Sequence, residues 1–133
     1  MTPLEIQSMQ TRTYESDTNT VFHSVVSVFQ DLGYTIKNAD SQAGFIQADG
    51  AADANEALKF WFGSTSTKQT KATGFVEKIG DKVSVRLSFV ATVEKSTAYG
   101  ADDREEKPIL NADIYQNAFE RIENAIFIRQ ATN

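Results

Sequence analysis

The chain has 133 residues, 41% hydrophobic and 23% charged, and carries a formal net charge of −5. That describes one folded domain, 1–133, long enough to bury a core without covalent staples. The absence of cysteine excludes disulfides, thiolate metal sites and cysteine nucleophiles, and the acidic balance argues against nucleic acid, whose phosphates need clustered Lys and Arg.

Residues 5 to 14, EIQSMQTRTY, predict an extended opening strand, polar on both parities and anchored by Ile6, Met9 and Tyr14. SDTNTVFHSVVSVFQDLGY follows, and Val21, Val25, Val28, Phe29 and Leu32 recur at helical spacing. Asp17 stands where a helix N-cap is wanted, and Gly33 where a left-handed residue ends one, so that Tyr34 folds back onto Phe29. The helix is rich in valine and weak by propensity; burial of its stripe must hold it. YTIKNADSQAGFIQAD then predicts strand, break, strand, with Gly44 as the turn or bulge residue.

GAADANEALKFWFGSTSTKQT, residues 50 to 70, predicts a long connection holding a short helix, because Ala54, Ala57, Leu58, Trp61 and Phe62 have helical spacing. Phe60, Trp61 and Phe62 have three readings: core at the open end of the sheet, a lid over a hydrophobic cavity, or an outward patch for protein or membrane. KATGFVEKIGDKVSVRLSFVATVEK predicts a hairpin turning at Gly80-Asp81, with Val83, Val85, Leu87, Phe89, Ala91 and Val93 on one face. STAYGADDREEKP, 96 to 108, predicts a charged loop ending at Pro108. NADIYQNAFERIENAIFIRQ predicts a second amphipathic helix with Ile114, Ala118, Ile122 and Ala125 or Ile126 as its stripe, flanked by Tyr115, Phe119 and Phe127. Asn111 or Asp113 would cap it, and Asp113 with Gln116 has the spacing of a capping box.

The expected fold is therefore α+β: an antiparallel sheet of four to five strands packed on one face by two helices, in the order β-α-β-β-(short α)-β-β-α. No run of apolar residues approaches the ~20 that a membrane helix needs.

No catalytic constellation is marked. The single His23 lies about 200° around the helix from Val21, off the buried stripe, which suits a solvated histidine. A hydrolase reading would rest on His23 and a nearby Asp, with no nucleophile–base pair to support it. The run Asp102-Asp103-Arg104-Glu105-Glu106 reads as solvated charge, and Asp49 to Asp53, DGAAD, lacks the alternating ligands of a calcium loop. The seven glycines are scattered and form no phosphate-binding loop, and no serine sits in a nucleophile elbow. The expectation is a non-enzymatic protein without metal or cofactor.

DTNTVFHSVVSVFQDLGYTIKNADSQAGFIQAD, with QTRTYES before it and DIYQNAFERIENAIF at the end, resembles small bacterial envelope lipoproteins. In that pattern a helix ends in a Gly-aromatic pair, Gly33-Tyr34, and an acidic residue, Asp40, precedes a Gly, Gly44, that restarts a strand. A more distant resemblance is to the helix-grip domains of the BamC outer-membrane assembly lipoproteins. The resemblance implies a periplasmic or outer-membrane-anchored protein, held by a lipidated cysteine upstream of Met1, that binds other envelope proteins. Residues Ala51 to Lys71 have no counterpart in that pattern. Arg12, Trp61, Phe62 and Tyr99 are the candidate contact residues, chosen as types that dominate interfaces. The alternative is a carrier of a small hydrophobic ligand or lipid in a pocket between helix and sheet, lined by Val25, Phe29, Leu87, Phe89, Ile122 and Trp61.

Overall fold

A computed structural model of the chain describes residues 2–50, 67–96 and 102–131. The first element corrects the sequence expectation: α1, Pro3–Gln10, is a helix, and the extended chain is confined to β1, Thr11–Tyr14. The cause is local. The Thr2 hydroxyl accepts the Glu5 N–H at 3.2 Å, Pro3 opens the helix, and Glu5 puts a negative charge in its first turn. None of the eight residues is buried, so no apolar stripe announces this helix.

Helix α2, Thr18–Asp31, begins as expected, with the Asp17 carboxylate accepting both the N–H and the hydroxyl of Thr20, at 3.0 and 2.6 Å. These bonds hold the Asp17 carboxyl below the usual range, so the cap is fully formed above the ordinary aspartate value and weakens only as the pH falls through the lowered one. The buried stripe is Val21, Val25, Val28 and Phe29, joined by Phe22 and by Ser24, whose hydroxyl donates to the Thr20 carbonyl at 2.7 Å. Gly33 takes a positive φ of 95°, and the Tyr34 ring returns to within 6.1 Å of the Phe29 ring.

Strands β2, Tyr34–Asp40, and β3, Phe45–Gly50, form the first hairpin. Asp40 shapes its turn by accepting the N–H groups of Gln42 and Ala43 on Oδ1, at 3.0 and 3.1 Å. A register shift between Ile36 and Asn38 interrupts the β2–β3 ladder, on the outermost strand among the described residues. Strands β4, Thr67–Ile79, and β5, Lys82–Ser96, form the second hairpin through Gly80 and Asp81. Gly80 has φ 64°, the positive value wanted at the first position of such a turn.

The expected charged loop contains a sixth strand, β6, Asp102–Pro108, paired antiparallel with β5 from Val90↔Pro108 to Ser96↔Asp102. Its residues lack an apolar face, so alternation gives no signal; backbone pairing with the long β5 and the Lys71–Glu106 ion pair at 3.1 Å hold it. Helix α3, Ala112–Ala131, completes the chain. Asn111 rather than Asp113 caps it, its Oδ1 accepting the Asp113 N–H at 2.9 Å.

The six described strands form one antiparallel sheet in the order β1-β5-β4-β3-β2, and β1 and β6 lie end to end along the same edge of β5. The order of the described elements is thus α-β-α-β-β-β-β-β-α, with one helix and one strand beyond those expected. The short helix expected near Trp61 falls outside the described residues. The core lies on one face of the sheet, where α2 and α3 pack over Ile46, Ala48, Ala72, Val76, Val85, Leu87 and Phe89.

Candidate docking surface

Among the described residues the helix-covered face is closely packed. Val25, Phe29, Leu87, Phe89 and Ile122, proposed from sequence to line a ligand pocket, are all buried. The Phe29 and Phe89 rings meet edge-on at 6.2 Å. Gly74 lets α2 sit close: a Cβ there would lie 3.3 Å from Val25 Cγ1, 3.5 Å from Phe29 Cζ and 3.6 Å from Leu87 Cδ2. The sixth lining residue, Trp61, is outside the described residues.

Where β1 gives way to β6 the edge of β5 is sealed by α3. The Phe89 N–H donates to the Tyr115 hydroxyl at 3.1 Å, and the Phe89 carbonyl accepts the Ile109 N–H at 2.8 Å. Gln10 Nε2, at the end of α1, also donates to the Tyr115 hydroxyl at 3.1 Å. Tyr115→Phe removes that acceptor and strands a buried N–H, so it is expected to cost about 1–3 kcal/mol in urea unfolding, with the native fold retained. A loss below a few tenths of a kcal/mol would show that the seal contributes nothing.

Arg12 is half-buried on β1, on the side of the sheet that carries the helices. Its guanidinium lies over the Phe119 ring, 5.0 Å from the centroid, so it is engaged in a cation–π contact. It also borders an open groove of about 430 Å³ between α1 and α3, with Glu5, Met9 and Gln116. Burial raises the neighbouring Tyr14 phenol well above its ordinary value against the opposing charge of Arg12, and the Tyr14 hydroxyl donates to the Phe119 carbonyl at 2.9 Å. Trp61, Phe62 and Tyr99 lie outside the described residues. His23 is exposed on α2, edge-on to Phe22 at 5.7 Å. Among the described residues no group of three or more His, Asp or Glu could hold a metal ion, and no helix is long and apolar enough to cross a membrane.

Among the described residues the opposite face of the sheet carries no packed helix and is where unexpected residues converge. Strand alternation places Phe45, Gln47 and Asp49 of β3 there, with Lys71, Thr73, Phe75 and Glu77 of β4 and Ser84, Arg86 and Ser88 of β5. Four consecutive partners form one row across four strands: Asp40↔Phe45↔Phe75↔Arg86. The two rings sit 5.2 Å apart, and Phe75 is 50% exposed. Ile79, further along the same face of β4, is 56% exposed. Arg86 is exposed and pairs with no carboxylate among the described residues. Beyond it the face runs into a shallow groove of about 440 Å³ formed with Pro3, Ile6, Gln7 and Gln10 of α1. An aromatic pair beside an exposed arginine is the residue chemistry of an interface centre.

No family model matches this chain, and no curated protein matches it significantly. The sequence reading did not single out Phe45, Phe75 or Arg86. The available signal was Phe75, an aromatic lying out of phase with Ala72 and Val76, whose alternation fixes the buried side of β4.

Proposed function

We propose that this chain is a non-enzymatic protein-interaction module of the bacterial envelope, a helix-grip-like domain that helps to assemble or support an envelope complex. The observation that carries the interaction reading is the Phe45–Phe75 pair, with Arg86 beside it, on the sheet face that the described helices leave open. Aromatic side chains on a rigid antiparallel sheet present contact area at small entropic cost, and an arginine at their border adds directional hydrogen bonds. The envelope location, with attachment through an upstream lipidated cysteine, draws on the resemblance around Gly33-Tyr34 and Asp40 to Gly44. The carrier reading draws less support, because the described residues of its supposed pocket pack against one another.

The test places a photocrosslinking amino acid at position 75, and separately at Asn124 on the outer side of α3, in the protein expressed in its own host. The expected result is a discrete adduct from position 75, none from 124, and recovery in the envelope fraction. Adducts from 124 alone would move the docking surface to the helical layer. Recovery only in the cytosol would overturn the envelope assignment.

A further inference from the structure

We infer that the open face of the sheet docks a second copy of this chain, stacked face to face about a two-fold axis that runs parallel to the strands between β3 and β4. This rests on reading that face as the docking surface and names its occupant.

The argument is the order of residues in the row. Asp40, Phe45, Phe75 and Arg86 stand on four adjacent strands, acid, aromatic, aromatic, base. A two-fold axis over the midpoint of the aromatic pair reverses the row onto itself. Asp40 then faces Arg86 of the second copy, and Phe45 faces Phe75. The neighbouring rows obey the same operation. Asn38↔Gln47↔Thr73↔Ser88 sets amide opposite hydroxyl at each position, and Thr35↔Asp49↔Lys71↔Val90 sets Asp49 opposite Lys71, which also holds Glu106 of its own chain. No row places like charges together.

Such self-complementarity is what an isologous interface requires, in which one patch must satisfy itself after rotation. A foreign partner would not need acid and base at equal distances on either side of the aromatic pair. Stacked sheets lie about 10 Å apart and within about 30° of alignment, a geometry that lets facing side chains interleave. Asp40 uses Oδ1 for the Gln42 and Ala43 N–H groups of its own turn, which leaves Oδ2 for the guanidinium of the second copy.

Sedimentation velocity on the purified protein tests this with paired variants. Wild type is expected at twice the 14.7 kDa chain mass. Arg86→Asp and Asp40→Arg each set like charges face to face at both ends of the row and are expected to be monomeric, with dissociation constants raised roughly 30-fold or more. An equimolar mixture of the two recovers the dimer, because each variant then meets its complement. Asp40 also shapes its turn, so Phe45→Glu and Phe75→Lys provide a second pair: monomeric alone, dimeric when mixed. Wild type that stays monomeric, a dimer that persists in Phe75→Lys, or mixtures that fail to re-form would each overturn the inference. If crosslinks from position 75 to a different protein or to lipid persist in that case, the docking surface stands with another occupant. If they too are absent, the interaction reading fails with it.

Discussion

Gly44→Ala is expected to lower stability by about 2–5 kcal/mol, more than any other one-methyl change among the described glycines. Gly44 has φ 75°, a left-handed conformation that costs an L-residue about 1–2 kcal/mol. The added Cβ would also lie impossibly close to the Val76 carbonyl oxygen, which is backbone and cannot rotate away. Relief requires β3 and β4 to separate at the point where the Val76 N–H donates to the Gly44 carbonyl at 2.8 Å, and breaking a bond of that kind costs about 1–3 kcal/mol more. Gly80→Ala is the control. Gly80 has φ 64°, but nothing lies within 4 Å of its Cβ position, so only the conformational cost applies. Urea midpoints for the two variants separate the effects: equal losses at both positions would mean that the β3–β4 contact yields without cost.

The same residue shows how far the chain could be read in advance. Gly44 was recognisable as a turn residue because Asp40 to Gly44 is rich in turn formers; that its backbone abuts Val76 depends on β3–β4 pairing across a connection of more than a dozen residues. Helix α2 was legible at both ends, since Asp17 and Gly33 act locally and the valine stripe has one dominant period. The Gly80-Asp81 hairpin was legible for the same reason. Helix α1 was missed because it buries nothing: its evidence was the cap Thr2-Pro3-Leu4-Glu5 and not a stripe. Strand β6 was missed because charge without an apolar face looks like solvated loop, while its stability comes from the neighbour it pairs with. The candidate surface was the least legible part. Phe45, Phe75, Arg86 and Asp40 are scattered over 47 positions from first to last, and only the registers of three strand pairs bring them into line. Arg12 is legible in the sequence only as a residue type, because its contact with Phe119 depends on β1 meeting α3 in the fold.

Phe29→Ala is expected to have the largest effect, about 3–5 kcal/mol, in the range found for aromatic truncation in close-packed cores. Phe29 is 0% exposed and sits where three elements meet: its ring contacts Tyr34 at 6.1 Å and Phe89 at 6.2 Å, and its Cζ faces the bare Cα of Gly74. Collapse into the void is resisted on each side. Tyr34 is held by the helix ending at Gly33 and by its β3 partner Gly50, and Phe89 by its bonds to Tyr115 and Ile109. A domain of this size has only about 5–15 kcal/mol to lose, so the variant should be partly unfolded at modest urea. Phe29→Leu keeps most of the volume and should lose no more than about half as much. The pair also bears on the carrier reading. If the helix–sheet interface is a packed core, Phe29→Ala is destabilising and an added apolar molecule that fills the void restores part of the loss by mass action. If that interface instead holds room for a ligand in the native protein, truncation enlarges an existing space, the stability change stays small, and apolar molecules stabilise wild type and variant alike.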